Sequence, residues 1–144
     1  MMNKANGFTL IELMITVAIV GILVAVAFPS YQASVLRSQR TDAHLSLARI
    51  ATLQEQYFFR TNRYTSDFAD IVTGATSGSP IDSDEGHYTI ALAITGGGTG
   101  WTATATAQGA QAGDAECAKL TLTGFGVKTA LDSGGSANNT ECWQ

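Results

Sequence analysis

Residues 8–28, FTLIELMITVAIVGILVAVAF, carry a single charge, Glu12. At about 1.5 Å of rise per residue this run makes a helix of roughly 30 Å, the thickness of a bilayer's hydrocarbon core. It is long enough to cross a membrane once. From Pro29 onward the chain is polar and rich in Gly and Thr, yet long enough to bury a modest core. The expectation is an apolar anchor carrying one soluble head.

Composition narrows the function. The chain has 144 residues, of which 45% are hydrophobic and 14% charged, which excludes a disordered tail and leaves room for one ordinary domain. Eight Lys and Arg against 12 Asp and Glu leave a formal charge of -4, so general attraction to nucleic acid or anionic lipid is disfavoured. Two Cys and two His are the bare minimum for a four-ligand zinc site, and neither His has a Cys nearby in the sequence, so no cofactor or metal is expected. Cys117 and Cys142 as a disulfide would place the head in an oxidising compartment, the periplasm or cell surface. Such a bridge closes a loop of about 25 residues, worth about 3 kcal/mol in the chain-entropy account, and staples down the polar DSGGSANNTE at 132–141.

After Pro29 no Gly or Pro occurs until Gly74, and Leu36, Ala43, Leu47, Ile50 and Tyr57 recur at helical spacing. The helix is expected to continue to Arg60, with Leu47, Ile50, Leu53 and Tyr57 packed on a sheet. Counted from Phe8 it would reach about 80 Å, more than a small head can cover. Residues 61–86 read as loop, with Gly74, Gly78, Pro80 and Gly86 as turn residues. HYTIALAI, WTATATAQ and CAKLTLTG then alternate with period two, and residues 125–130 add a fourth strand. One helix followed by consecutive antiparallel strands is an α+β fold with the helix on one sheet face.

The apolar run has competing readings. Ala25-Val26-Ala27 has the small-residue pattern of a signal peptidase site, and cleavage there would free a soluble binding module beginning at Phe28. Against it, the run exceeds the usual apolar core of a signal peptide and has a carboxylate near its start. A plain anchor would tolerate Glu12 at a cost of about 2.5 to 3.5 kcal/mol at the bilayer centre, less near an end, and offers it no partner. A third reading supplies one: residues 4–32, KANGFTLIELMITVAIVGILVAVAFPSYQ, resemble the amino-terminal signature of type IV prepilins.

That resemblance implies three segments: a leader at 1–7, a membrane and filament-core helix at 8–29, and a head at 30–144. A prepilin peptidase would cut after Gly7 on the cytoplasmic side, and the new amine on Phe8 would be methylated. Glu12 matches the family's acidic position, whose role there is pairing with a terminal amine. Two such charges in low dielectric are each costly alone, so their pairing would set register between subunits. Gly21 allows close helix packing, and Pro29 either ends the span or loosens the helix in the assembled fibre. The partners implied are further copies or other pilins in a helical filament, the peptidase, an inner-membrane assembly platform, and the membrane for the precursor. The chain would move from the inner membrane to a surface pilus and serve adhesion, twitching motility or DNA uptake, without enzymatic activity.

The resemblance continues through Gln54-Glu55-Gln56-Tyr57, Arg63-Tyr64, Tyr88, Asp114, Glu116-Cys117 and Cys142-Trp143, which look like PilE-type pilins and minor pilins. The Cys pair separates the chain from the pseudopilins of type II secretion, the alternative within the same architecture. Asp82, Asp84 and Glu85 form an acidic knot without EF-hand spacing, expected to be a solvated loop. His44 and His87 lack the company of a catalytic or metal site. From Thr61 on, three basic residues face nine acidic ones, so a DNA contact would need a local patch at Arg60, Arg63 and Lys128.

Overall fold

The computed structural model describes residues 7–143. The chain divides into two compact units, Met1–Val35 and Leu36–Gln144. Helix α1, Leu10–Thr61, contributes to both. The expected start at Phe8 moves to Leu10 because Thr9 acts as the helix cap: its hydroxyl accepts the Glu12 N–H at 3.3 Å. The expected leader, apart from Gly7, lies outside the described residues. The helix ends at Thr61, one residue beyond expectation. Asn62 then takes the left-handed conformation, φ 58°, and its N–H reaches the Phe58 carbonyl at 2.8 Å.

In the first unit every described residue from Gly7 to Ser34 is exposed, including Leu10, Ile15, Val20 and Leu23. In the second unit α1 is two-sided. Arg40, Ala43, Leu47, Ile50 and Gln54 recur at alternating spacings of three and four, and all are buried. They face a five-stranded antiparallel meander: β1 Ile81–Asp82, β2 Tyr88–Thr95, β3 Gly100–Ala107, β4 Lys119–Thr123 and β5 Lys128–Leu131, in that order across the sheet. Strand β3 shows why period two works here. Trp101, Ala103 and Ala105 are buried, whereas Thr102, Thr104 and Thr106 point to the other face. Small inward residues let the helix approach, and Tyr88, Ile90, Leu120, Phe68 and Ala130 complete the core.

Three elements depart from expectation. β1 lies within the region read as loop; it pairs Ile81 with Ile90 and Asp82 with Thr89, too few residues for an alternation to register. β5 begins at Lys128 rather than Phe125, because residues 124–126 turn the chain, with Gly126 at φ 77°. A one-turn helix α2, Asn139–Cys142, carries the second cysteine. The β2–β3 connection places Gly96, Gly97 and Gly98 in succession at φ 59°, 68° and 101°, a path that side chains with a Cβ resist.

Candidate functional site

The amino-terminal site is built on the first turn of α1. Thr9 and Glu12 form the Thr-x-x-Glu pattern of a capping box, in which the Thr9 hydroxyl holds the Glu12 N–H. Thr16 donates back to the Glu12 carbonyl at 2.7 Å. The backbone of Glu12 is therefore fixed while its carboxylate stays exposed; among the described residues nothing binds that carboxylate. Phe8 is 84% exposed and precedes the helix, so it does not form the in-helix neighbour of Glu12 that i,i+4 counting suggests. At Gly21 a Cβ would meet nothing within 4 Å, so the isolated chain gives glycine no steric reason there. The helix runs through Pro29 without a break, although Pro29 offers no backbone donor.

In the head, a buried clasp ties the C-terminus to α1. Arg40 donates from Nε to Asp114 Oδ2 at 2.6 Å, and from Nη2 to Asp114 Oδ1 at 2.8 Å and to Glu116 Oε2 at 3.1 Å. Its remaining nitrogen reaches the Glu141 carbonyl at 3.2 Å. The Asp114 hydrogen bonds hold Arg40 above its ordinary pKa, against the opposing effect of burial. One turn on, His44 Nε2 lies 2.8 Å from the Cys142 carbonyl, and its ring stacks on Trp143 with centroids 4.7 Å apart. The Cys117–Cys142 disulfide, both sulfurs buried, closes this clasp covalently. Gln111 donates to the Tyr88 hydroxyl at 2.9 Å and to Asp114 at 3.2 Å, and burial pushes the Tyr88 phenol up to about 12.

Comparison with known proteins gives this architecture its context. The family described as "Type IV minor pilin ComP, DNA uptake sequence receptor" matches residues 29–121, and the "Prokaryotic N-terminal methylation motif" matches residues 2–28. The chain belongs to the type IV pilin family. The family is structural and non-enzymatic. The "Type IV wide pilus major component PilA4" of Thermus thermophilus is 35% identical over 106 residues, covering 69% of this pilin and 81% of that protein. "Type IV major pilin protein PilA" of Myxococcus xanthus is 46% identical over 67 residues, covering 46% of this chain and 30% of the other. The pilin thus spans less than a third of that relative's length. A solved structure, a type IV pilin from Shewanella oneidensis, aligns over 65% of this chain and 89% of its own, with TM-score 0.48 and 22% identity.

Several head residues that carried the resemblance are tied into the fold, Gln54, Tyr88 and Asp114 in its interior and Glu55 and Tyr64 at its surface. Gln54 donates to the Thr65 carbonyl at 2.6 Å and accepts the Thr65 N–H at 3.2 Å, pinning the chain just after α1. The Tyr64 hydroxyl donates to Glu55 at 3.0 Å, and Tyr88 and Asp114 meet in the clasp. Arg40, Asp42 and Gln111 escaped the sequence reading. A usable signal existed for Arg40, which lies in phase with Ala43 and Leu47, so it must be buried and needs an acid. Asp42 accepts from the Ser83 hydroxyl at 2.5 Å and from the N–H groups of Glu85 and His87 at 3.2 and 3.3 Å.

That network accounts for the acidic knot. Its backbone serves Asp42, and its carboxylates diverge: Asp82 to Gln108, Asp84 to Arg49 at 2.7 Å and Glu85 to His87 at 3.5 Å. No cluster with metal-ligand geometry occurs among the described residues. The basic residues named for DNA each have their own neighbour: Arg60 over the Tyr57 ring, Arg63 beside Gly98, and Lys128 over Trp143 at 5.1 Å.

Proposed function

We propose that this pilin is a pilus subunit that passes from a single-span membrane precursor into a filament through one and the same helix segment. The observation that carries the reading is the apolar run of α1, long enough to cross a membrane and exposed at every described residue from Gly7 to Ser34. About 20 apolar side chains would exchange lipid for protein neighbours, so the hydrophobic gain is small, and shape packing and polar pairing decide the move. Cleavage after Gly7 would create an ammonium on Phe8 for methylation. The exposed Glu12 carboxylate of an incoming subunit would meet the amine of a docked one, sparing each an unpaired charge in low dielectric.

The test is the distribution of the full chain between inner membrane and sheared surface filaments. Glu12→Ala leaves the membrane pool intact and removes the chain from the sheared fraction; normal incorporation would refute the pairing. An intact mass beginning at Phe8 supports this route, and one beginning at Phe28 supports a secreted module.

A DNA contact is the second reading, favoured by the description of the matching family. From Leu36 on, seven basic residues face eleven acidic ones, and Arg40 and Arg49 are already committed to Asp114 and Asp84. Any DNA contact would therefore rest on exposed residues such as Arg60, Arg63 and Lys128 and weaken steeply with salt. Loss of DNA retention on Arg63→Ala filaments, at unchanged filament yield, would establish it.

A further inference from the structure

The head carries an apolar knob, at the strand ends beside Gly100 of β3, and a separate cavity between α1 and β1. The cavity, about 240 Å³, opens between α1, residues 72–75 and β1. Ile50, Val72, Ile81 and Ile90 line it together with Arg49, Asp82 and Asp84. A site of about 150 Å³ accommodates a benzene ring, so an aromatic side chain fits. Asp84 is neutralised by Arg49, whereas Asp82 receives only a Gln108 amide and keeps its charge unbalanced.

The knob is Phe125, 83% exposed at the apex of the β4–β5 turn. Its turn is tied by hydrogen bonds from Gly126 to the Thr123 carbonyl at 2.9 Å and from Val127 to the Thr123 hydroxyl at 3.1 Å. The ring lies against Gly100, where a Cβ would come within 3.6 Å of it. Val127 and Lys128 follow it, both exposed, and the Lys128 ammonium has a ring rather than a carboxylate for company.

We propose that Phe125 of one copy enters the Ile50–Ile81–Ile90 cavity of the next, with Lys128 facing Asp82. Because knob and cavity are separate sites, each copy donates one and receives the other. Such a heterologous contact does not close on itself as a two-fold dimer does, and it propagates along a row of subunits. The opposite charges at the two halves fit a second copy of this chain, while the acidic lining repels a nucleic acid. The inference rests on the filament reading above and adds a head-to-head contact to it.

The experiment pairs Thr73→Cys, on the cavity wall, with Val127→Cys, at an exposed position beside the intact Phe125, in the full-length chain, oxidised in sheared filaments and resolved without reductant. The expected result is a ladder of dimers and higher multimers in the double variant and none in either single variant. Filaments that contain the double variant but show no ladder overturn the contact while leaving the filament reading standing. Absence of the chain from sheared material refutes the filament reading itself, and the contact with it. A second variant, Phe125→Asp at this exposed position, should lower incorporation about tenfold or more, the factor expected for one lost buried ring. Phe125→Leu should restore most of it, with the Cys117–Cys142 bond intact in both. Unchanged incorporation of Phe125→Asp also overturns the proposal.

Discussion

At the scale of single residues the head depends on buried polar groups that satisfy one another. Arg40 and Asp114 have side chains only 6% and 3% exposed, so removing one leaves the other charged in low dielectric. Asp114→Ala should cost about 3 kcal/mol or more of head stability, measured by denaturant unfolding of the detergent-solubilised chain. Glu116→Ala, on the same guanidinium but with its side chain 59% exposed, should cost under about 1 kcal/mol. Equal losses would refute the assignment of Asp114 as the main partner. Periodicity already implied that position 40 faces inward. Which acid answers it, 74 residues away in sequence, was not legible, because polar loop residues carry no periodic mark.

At the scale of the element, α1 meets two environments along its length, and each half invites a test. Pro29 lies inside a continuous helix and removes one hydrogen bond there. Pro29→Ala should restore it, and amide exchange at residues 25–28 should slow in the detergent-solubilised chain; unchanged exchange would mean that proline does not loosen this turn. Further on, His44 binds the C-terminal segment. Burial depresses its pKa below the ordinary 6.5, so between its folded value and 6.5 the unfolded chain takes up a proton that the folded one refuses. Its contribution is complete above pH 6.5 and is lost as pH falls through the folded value. His44→Phe keeps a ring against Trp143 but removes the titration and the bond to Cys142. The variant should be less stable at pH 7.5, yet lose less on acidification to pH 5 than the parent, as read from thermal unfolding at both pH values.

At the scale of the whole molecule, the disulfide and the clasp hold a tail whose composition cannot hold itself. Cys117→Ser with Cys142→Ser should destabilise the head by about 3 kcal/mol and expose residues 132–143 to protease; an unchanged digestion pattern would show that Arg40 and His44 suffice. The amino-acid sequence by itself determined the apolar helix, the alternation of β2, β3 and β4, the cysteine pairing and the leader signature, since each is a local pattern or, for two cysteines, a pairing without alternatives. It also carried the family, through a motif compact enough to read in one line. Only the tertiary structure decided β1, the Arg40–Asp114 and Asp42–Ser83 bonds, and the placing of a knob and a cavity at separate sites of the head. These join residues tens of positions apart, and such long-range contacts exist only once burial has brought the helix onto the sheet.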